Sequence, residues 1–177
     1  FATTERDQPY LIYLALNTPH SPMQVPQPYW DRFADKTITP DTRAENAKRQ
    51  NLGHTRAALA MVENIDDNVG KLLTALRDSK QADNTVVVYF SDNGPNGARF
   101  NGGMRGRKGS TFEGGLRSPC VIQFPKGIQP GTEIDSISGA IDLLPTLAEL
   151  AGIDVATLPG KPLDGVSIAG QLTGDQQ

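Results

Sequence analysis

Apolar residues fall into two kinds of pattern along this chain. Tyr10 to Leu16, reading YLIYLAL, is apolar at every position, as a β-strand covered on both faces would be. From about Asn46 to Asp78 the pattern changes. Leu59, Val62, Ile65, Val69, Leu72 and Leu76 recur at spacings of three and four, which places them on one face of an amphipathic helix. Val86 to Phe90 returns to the continuous kind and predicts a second strand; Cys120 to Phe124 predicts a third, stopped by Pro125. Asp142 to Leu150, DLLPTLAEL, predicts a short helix with Asp142 near its positive end, Pro145 in its first turn and Gly152 just past its last.

Between the first strand and the long helix, Pro22, Pro26, Pro28 and Pro40 argue against a long regular element, because proline lacks the backbone donor and restricts its predecessor. That stretch reads as an ordered loop. Strands alternating with helices suggest an α/β fold built on a largely parallel sheet. The tail after Gly160 carries no clear pattern, and no internal repeat or low-complexity segment is present.

Composition narrows the function classes. With 177 residues, 37% apolar content and a net charge of −3, the chain has the balance of one globular domain or of a large piece of something bigger. A pI near 5.3 argues against general nucleic-acid binding, which needs a net positive charge or a long basic stripe. Anion recognition must therefore be local. The single cysteine, Cys120, excludes an internal disulfide and a cysteine-based zinc cluster; in the run Pro119-Cys120-Val121-Ile122 it is expected to be a buried, inert thiol. No apolar run approaches the roughly 18 to 20 residues of a membrane span. Phe1 is not a natural start and no signal core follows it, so the chain is expected to begin inside a longer protein.

The candidate chemistry sits where strands end, since ligands of open α/β sheets gather beyond the carboxyl ends of strands. Asp92 and Asn93 follow the second strand and offer a carboxylate and a carboxamide oxygen, ligand types preferred by calcium or magnesium. An Asp-Asn-Gly sequence also forms turns readily, and two adjacent ligands fall short of the roughly six to eight oxygens of a calcium site. The next loop weighs against a plain turn. Arg99, Arg105, Arg107 and Lys108 are interleaved with Gly97, Gly102, Gly103, Gly106 and Gly109, so cationic heads and backbone amides could come close to an anion. A solvated basic loop is the alternative. GRKGST is not a nucleotide-binding P-loop, because Gly109 separates Lys108 from Ser110. His20 follows the first strand, where an imidazole could hold or donate a proton to a leaving oxygen, although a histidine in a proline-rich turn is more often structural. His54 is assigned to a solvated face. Glu63, Asp66 and Asp67 lie within about a turn of one helix, and surface charge and helix pairing explain them; Glu113 is expected to pair with a neighbouring arginine.

Taken together, LALNTPHSPMQVP (14–26), ALAMVENIDDNVGKLLTAL (58–76), DNTVVVYFSDNG (83–94), RGRKGSTFEGGLRSPCVI (105–122), DLLPTLAELAGI (142–153) and LDGVS (163–167) resemble the sulfatase family, within the alkaline-phosphatase-like group. The resemblance implies a partial alkaline-phosphatase-like core, a mostly parallel sheet flanked by helices, in a single α/β domain that is a fragment of a larger catalytic domain. It implies that Asp92 and Asn93 bind the active-site cation, usually calcium, and that His20 and Lys108 contact the sulfate ester in catalytic and substrate-binding roles. Arg105 and Arg107 would support the field without being catalytic. The family's formylglycine nucleophile arises in a Cys/Ser-x-Pro-x-Arg motif, whereas Cys120 is followed by Val121-Ile122-Gln123. The chain therefore resembles the C-terminal part of a sulfatase core, with an incomplete calcium site and an inactive isolated form.

Its implied partner is a sulfate ester, with no nucleic acid and no membrane, and an exposed sheet edge could support a homo-oligomer. Periplasmic or secreted localisation is what the resemblance suggests. Two further readings stay open at this stage. The chain could be a stand-alone module binding sulfate or sulfated ligands, or the same fold could serve phosphoryl or phosphonyl transfer.

Overall fold

A computed structural model of the chain describes residues 9–39, 50–157 and 159–174. It comprises two compact units: Phe1–Lys80 with Asn93–Pro119, and Gln81–Asp92 with Cys120–Gln177.

The first unit is organised around a helix α2, Leu52–Asp78, and a shorter α1, Gln27–Ala34, that packs against it. Asn51 starts α2: its side-chain oxygen accepts the His54 amide at 3.0 Å, satisfying one of the orphan donors of a helix N-terminus. At the other end the Ser79 hydroxyl donates to the Ala75 carbonyl at 2.8 Å. The periodic pattern thus predicts the helix, with residues 46–49 of its expected span lying outside the described residues. The buried face differs from the expected one in its first half. Ile65 and Leu76 are buried as expected, but Leu59 and Val62 are exposed, and Ala57, Ala58, Ala60 and Met61 take the inner positions. Met61 is only 1% exposed, since small alanines let the neighbouring backbone come close enough to enclose it.

The expected loop before α2 contains α1. Pro28 falls in its first turn, where the missing amide hydrogen costs nothing, so a proline-rich segment still holds a short helix. Arg32 on α1 donates to Glu63 at 2.9 Å and to Asp67 at 3.3 Å, and its guanidinium lies 4.7 Å from the centre of the Tyr29 ring. The Arg56 guanidinium reaches back to the Lys36 carbonyl at 3.1 Å. Glu63 and Asp67 thus pair with a cation on the neighbouring helix rather than within α2, where the sequence reading placed their pairing.

Tyr10 to Leu16 forms no strand. Leu11 and Tyr13 are each 78% exposed, and Leu14 and Leu16 also face solvent, so the run from Leu11 onward is not covered on both faces. An apolar run becomes a strand only where a partner strand takes its backbone hydrogen bonds.

The second unit contains β1, Val87–Phe90, and β2, Cys120–Gln123, paired antiparallel with Val87 opposite Gln123 and Phe90 opposite Cys120. The mostly parallel sheet expected from the sequence is not what the described residues form. Residues 91–119 between the two strands hold no helix longer than the four-residue α3, Glu113–Leu116, so the chain lacks the crossover helix that usually makes consecutive strands parallel. Cys120 is exposed rather than buried, since a two-stranded ribbon has no layer over β2; partial desolvation of its thiol still pushes its pKa up.

A 3-10 turn, Ala140–Asp142, leads into α4, Leu143–Leu150, matching the predicted helix, and α5, Ala169–Thr173, occupies the tail where the sequence showed no pattern. Asp142, 8% exposed, joins these pieces. One carboxylate oxygen accepts the Gly139 amide at 2.7 Å and the other accepts the Val166 amide at 2.8 Å. Thr146, one turn on, donates its hydroxyl hydrogen to the Asp142 carbonyl at 2.6 Å and accepts the Ile168 amide at 3.0 Å. Those backbone donors hold the Asp142 carboxyl below its usual range, the Gly139 amide contributing most.

Candidate functional site

The predicted site residues divide between the two units. Asp92, just past β1, belongs to the second; Asn93, His20 and Lys108 belong to the first. Asp92 is exposed and Asn93 half-buried.

The segment from Asn93 to Leu116 is shaped by main-chain contacts rather than by a core. The Gly94 amide donates to the Gly115 carbonyl at 3.0 Å, the Gly114 amide to the Arg105 carbonyl at 2.8 Å, and the Lys108 amide to the Pro95 carbonyl at 3.1 Å. Such close approach leaves no room for side chains. A Cβ on Gly114 would overlap the Gly106 carbonyl oxygen and lie 2.6 Å from the Asn101 side-chain nitrogen. Of the five glycines interleaved with the cations, only Gly106 is crowded in this way; Gly97, Gly102, Gly103 and Gly109 have room where a Cβ would stand and supply the positive φ of the loop instead.

Within this frame, residues 107–110 form a turn. The Ser110 amide donates to the Arg107 carbonyl at 2.9 Å, and the Ser110 hydroxyl donates to the same carbonyl at 2.8 Å while lying 3.1 Å from the Arg107 amide. Lys108 sits in that turn with its side chain exposed. Arg105 does not share its freedom: its guanidinium stacks over the Phe112 ring at 3.9 Å from the centroid. Arg99 is half-buried, and that desolvation pulls its pKa down. Glu113 pairs with Arg117 at 3.9 Å, one helical turn on and well exposed, as expected of it.

His20 lies in a turn closed by its own amide donating to the Asn17 carbonyl at 3.1 Å, between two cis prolyl bonds at Pro19 and Pro22. Its Nδ1 is 2.8 Å from the Ser21 carbonyl oxygen. A carbonyl can only accept, so Nδ1 carries the hydrogen. Nε2 is then the ring atom left to face a ligand, as an acceptor in neutral imidazole and a donor in imidazolium. No hydrogen bond joins His20 to Lys108 among the described residues.

For a divalent cation the donor types at Asp92 and Asn93 are right and the number is not. No group of three or more His, Cys, Asp or Glu residues comes together among the described residues, whereas calcium takes six to eight oxygens. Two open grooves exist elsewhere, one of about 640 Å³ along α2 beside Asp67 and Lys71, the other of about 470 Å³ beside Pro145, Glu149 and Val166; none of the four predicted residues lines either. Asn101 was given no role from the sequence, yet its side-chain amide holds two carbonyls of the loop. The only sequence signal for it is a polar residue placed just before two adjacent glycines.

A family model described as Sulfatase matches residues 1–153. The chain is 32% identical over 174 residues to a protein named uncharacterized sulfatase YdeN of Escherichia coli K12, and 33% identical over 174 residues to arylsulfatase A of Homo sapiens. These alignments cover 97% and 96% of this chain but 28% and 30% of the relatives, so the chain spans less than a third of their length. Among solved structures it is similar to Ps i-CgsB in complex with k-i-k-neocarrahexaose, with a TM-score of 0.75 and 33% identity over 92% of this chain and 33% of the other.

Proposed function

From the premise that the chain belongs to the sulfatase family, we propose that it supplies part of a site for hydrolysis of sulfate esters, with His20 and Lys108 contacting the sulfate group. The observation that carries this reading is Lys108. It is an exposed cation at the tip of a turn whose backbone is fixed by main-chain contacts on both sides, and among the described residues no carboxylate is paired with it.

Such a cation stabilises negative charge that builds on sulfate oxygens as the S–O bond lengthens. The second requirement is a proton for the departing alcohol oxygen. With Nδ1–H committed to the Ser21 carbonyl, His20 meets it only as imidazolium, donating from Nε2. Asp92 and Asn93 supply two hard oxygen donors for calcium, which would draw charge from a sulfate oxygen when bound. The remaining ligands and the formylglycine nucleophile would come from outside this chain's sequence, whose one cysteine lies in no Cys-x-Pro-x-Arg motif.

Titrating the chain with inorganic sulfate while following the backbone amides of Lys108 and Ser110 tests this reading. Saturable shifts there, lost in Lys108→Ala, are expected; shifts that survive the substitution would remove Lys108 from the site. In the same protein calcium is expected to bind more weakly than about 10⁻⁴ M, and micromolar affinity would show that the two donors are not the whole site.

A further inference from the structure

We propose that Asn101 is a positioning residue for Lys108, acting through the backbone on either side of Arg105. Its side-chain nitrogen donates to the Met104 carbonyl at 2.8 Å and to the Gly106 carbonyl at 2.9 Å. One planar amide group therefore uses both of its hydrogens on carbonyls two residues apart, and the chain from 104 to 106 must bend around it. The bend turns the intervening Arg105 carbonyl to the Gly114 amide, 2.8 Å away, which ties the loop to the start of α3. Gly106, at φ +90°, then directs the chain into the 107–110 turn that carries Lys108. A Cβ at Gly106 would lie 2.8 Å from the Phe112 Cβ, so the bend is closed on that side as well.

The Asn101 side-chain oxygen is buried with no hydrogen-bond partner among the described residues. That is an unfavourable arrangement for an amide placed only to fill space, because a buried acceptor left unpaired carries its desolvation penalty in full. The residue's two donors offset that cost by satisfying two carbonyls. Serine could satisfy one carbonyl and leucine neither; an amide serves both from a single rigid plane.

The inference deepens the reading of Lys108 as a sulfate contact and rests on it for its functional sense. Two measurements separate them. Asn101→Asp keeps size and shape but removes both donors and sets a carboxylate against two carbonyl oxygens. In the 177-residue chain at pH 8, the Gly114 and Lys108 amides are expected to exchange hydrogen at least tenfold faster than in the unsubstituted protein, with Met61 of α2 and Tyr89 of β1 unchanged. As pH falls from 8 to 5 the crowded carboxyl takes up a proton, regains one O–H donor, and protection partly returns after correction for intrinsic exchange. Asn101→Leu, without a titrating group, shows no such return.

Unchanged exchange in both Asn101→Asp and Asn101→Leu would overturn the proposal. Inorganic sulfate is the second probe. Its affinity is expected to fall at least threefold in Asn101→Leu, which removes both donors without adding a charge that would itself repel sulfate. A loosened loop with unaltered sulfate affinity would keep Asn101 as the residue that shapes the loop and would sink Lys108 as the anion contact.

Discussion

Two segments of this protein solve the same problem, holding irregular backbone in one shape, with opposite chemistry. Residues 94–116 are tied by main-chain contacts and by one neutral amide, Asn101. Residues 139–168 are tied by a carboxylate, Asp142, together with the Thr146 hydroxyl, which is itself 1% exposed. The carboxylate makes the stronger bonds, since charge-assisted hydrogen bonds exceed neutral ones roughly twofold. If Lys108 contacts an anion as proposed, a carboxylate at position 101 would oppose that attraction. The segment with the exposed cations is braced by a neutral group, the other by a charged one.

The largest expected effect comes from the closest backbone approach in the second segment. A Cβ at Gly165 would overlap the Ile141 carbonyl and sit 3.0 Å from the Asp142 amide nitrogen. Gly165→Ala is therefore expected to cost about 3 kcal/mol or more in denaturant unfolding, because backbone atoms cannot step aside as a flexible side chain would. A loss under 1 kcal/mol would mean that the clasp is loose and the contrast between the segments overstated.

Next in size is the acid response. Asp142 has a folded pKa below its unfolded value of about 3.9, so its contribution is fully present above that pH and disappears as pH falls through the lowered folded value. Melting curves from pH 6 down to pH 2 should steepen below pH 4 in the unsubstituted protein and flatten in Asp142→Asn, whose overall melting temperature is lower. Parallel curves for the two proteins would assign the acid sensitivity to other carboxylates. The smallest effect is expected from Arg32→Gln. Its pairs with Glu63 and Asp67 are solvent-exposed, and exposed pairs add little. A change in melting temperature beyond a degree or two would show that the α1 and α2 contact depends on them.

The sequence made the long helix legible because its signal is local: spacing of three and four, with a capping residue at the start. It also located the four predicted site residues in turns and loops, since glycine, proline and Asp-Asn pairs announce themselves in isolation. It failed where the outcome depends on a partner. Tyr10 to Leu16 has the composition of a strand but forms no ladder among the described residues. Leu59 and Val62 carry the period of a core face, yet alanines and Met61 win the inner positions by fitting closer. Asn101 and Asp142 were opaque for a different reason: each acts on backbone amides or carbonyls brought to it by folding, and backbone groups are the same at every position.

Cys120 has a practical consequence. It is the single cysteine of the chain, it is exposed, and it ends the register of β2 opposite Phe90. A thiol-reactive dye or spin label would therefore attach at one defined place on the two-stranded ribbon, with no substitution needed elsewhere. Because the thiol is pushed toward higher pKa, it is poor in thiolate near neutrality and reacts slowly, faster as the solution is made alkaline. The protein thus comes with a built-in reporter whose reaction rate records how well the end of that ribbon is covered, whatever comes to cover it.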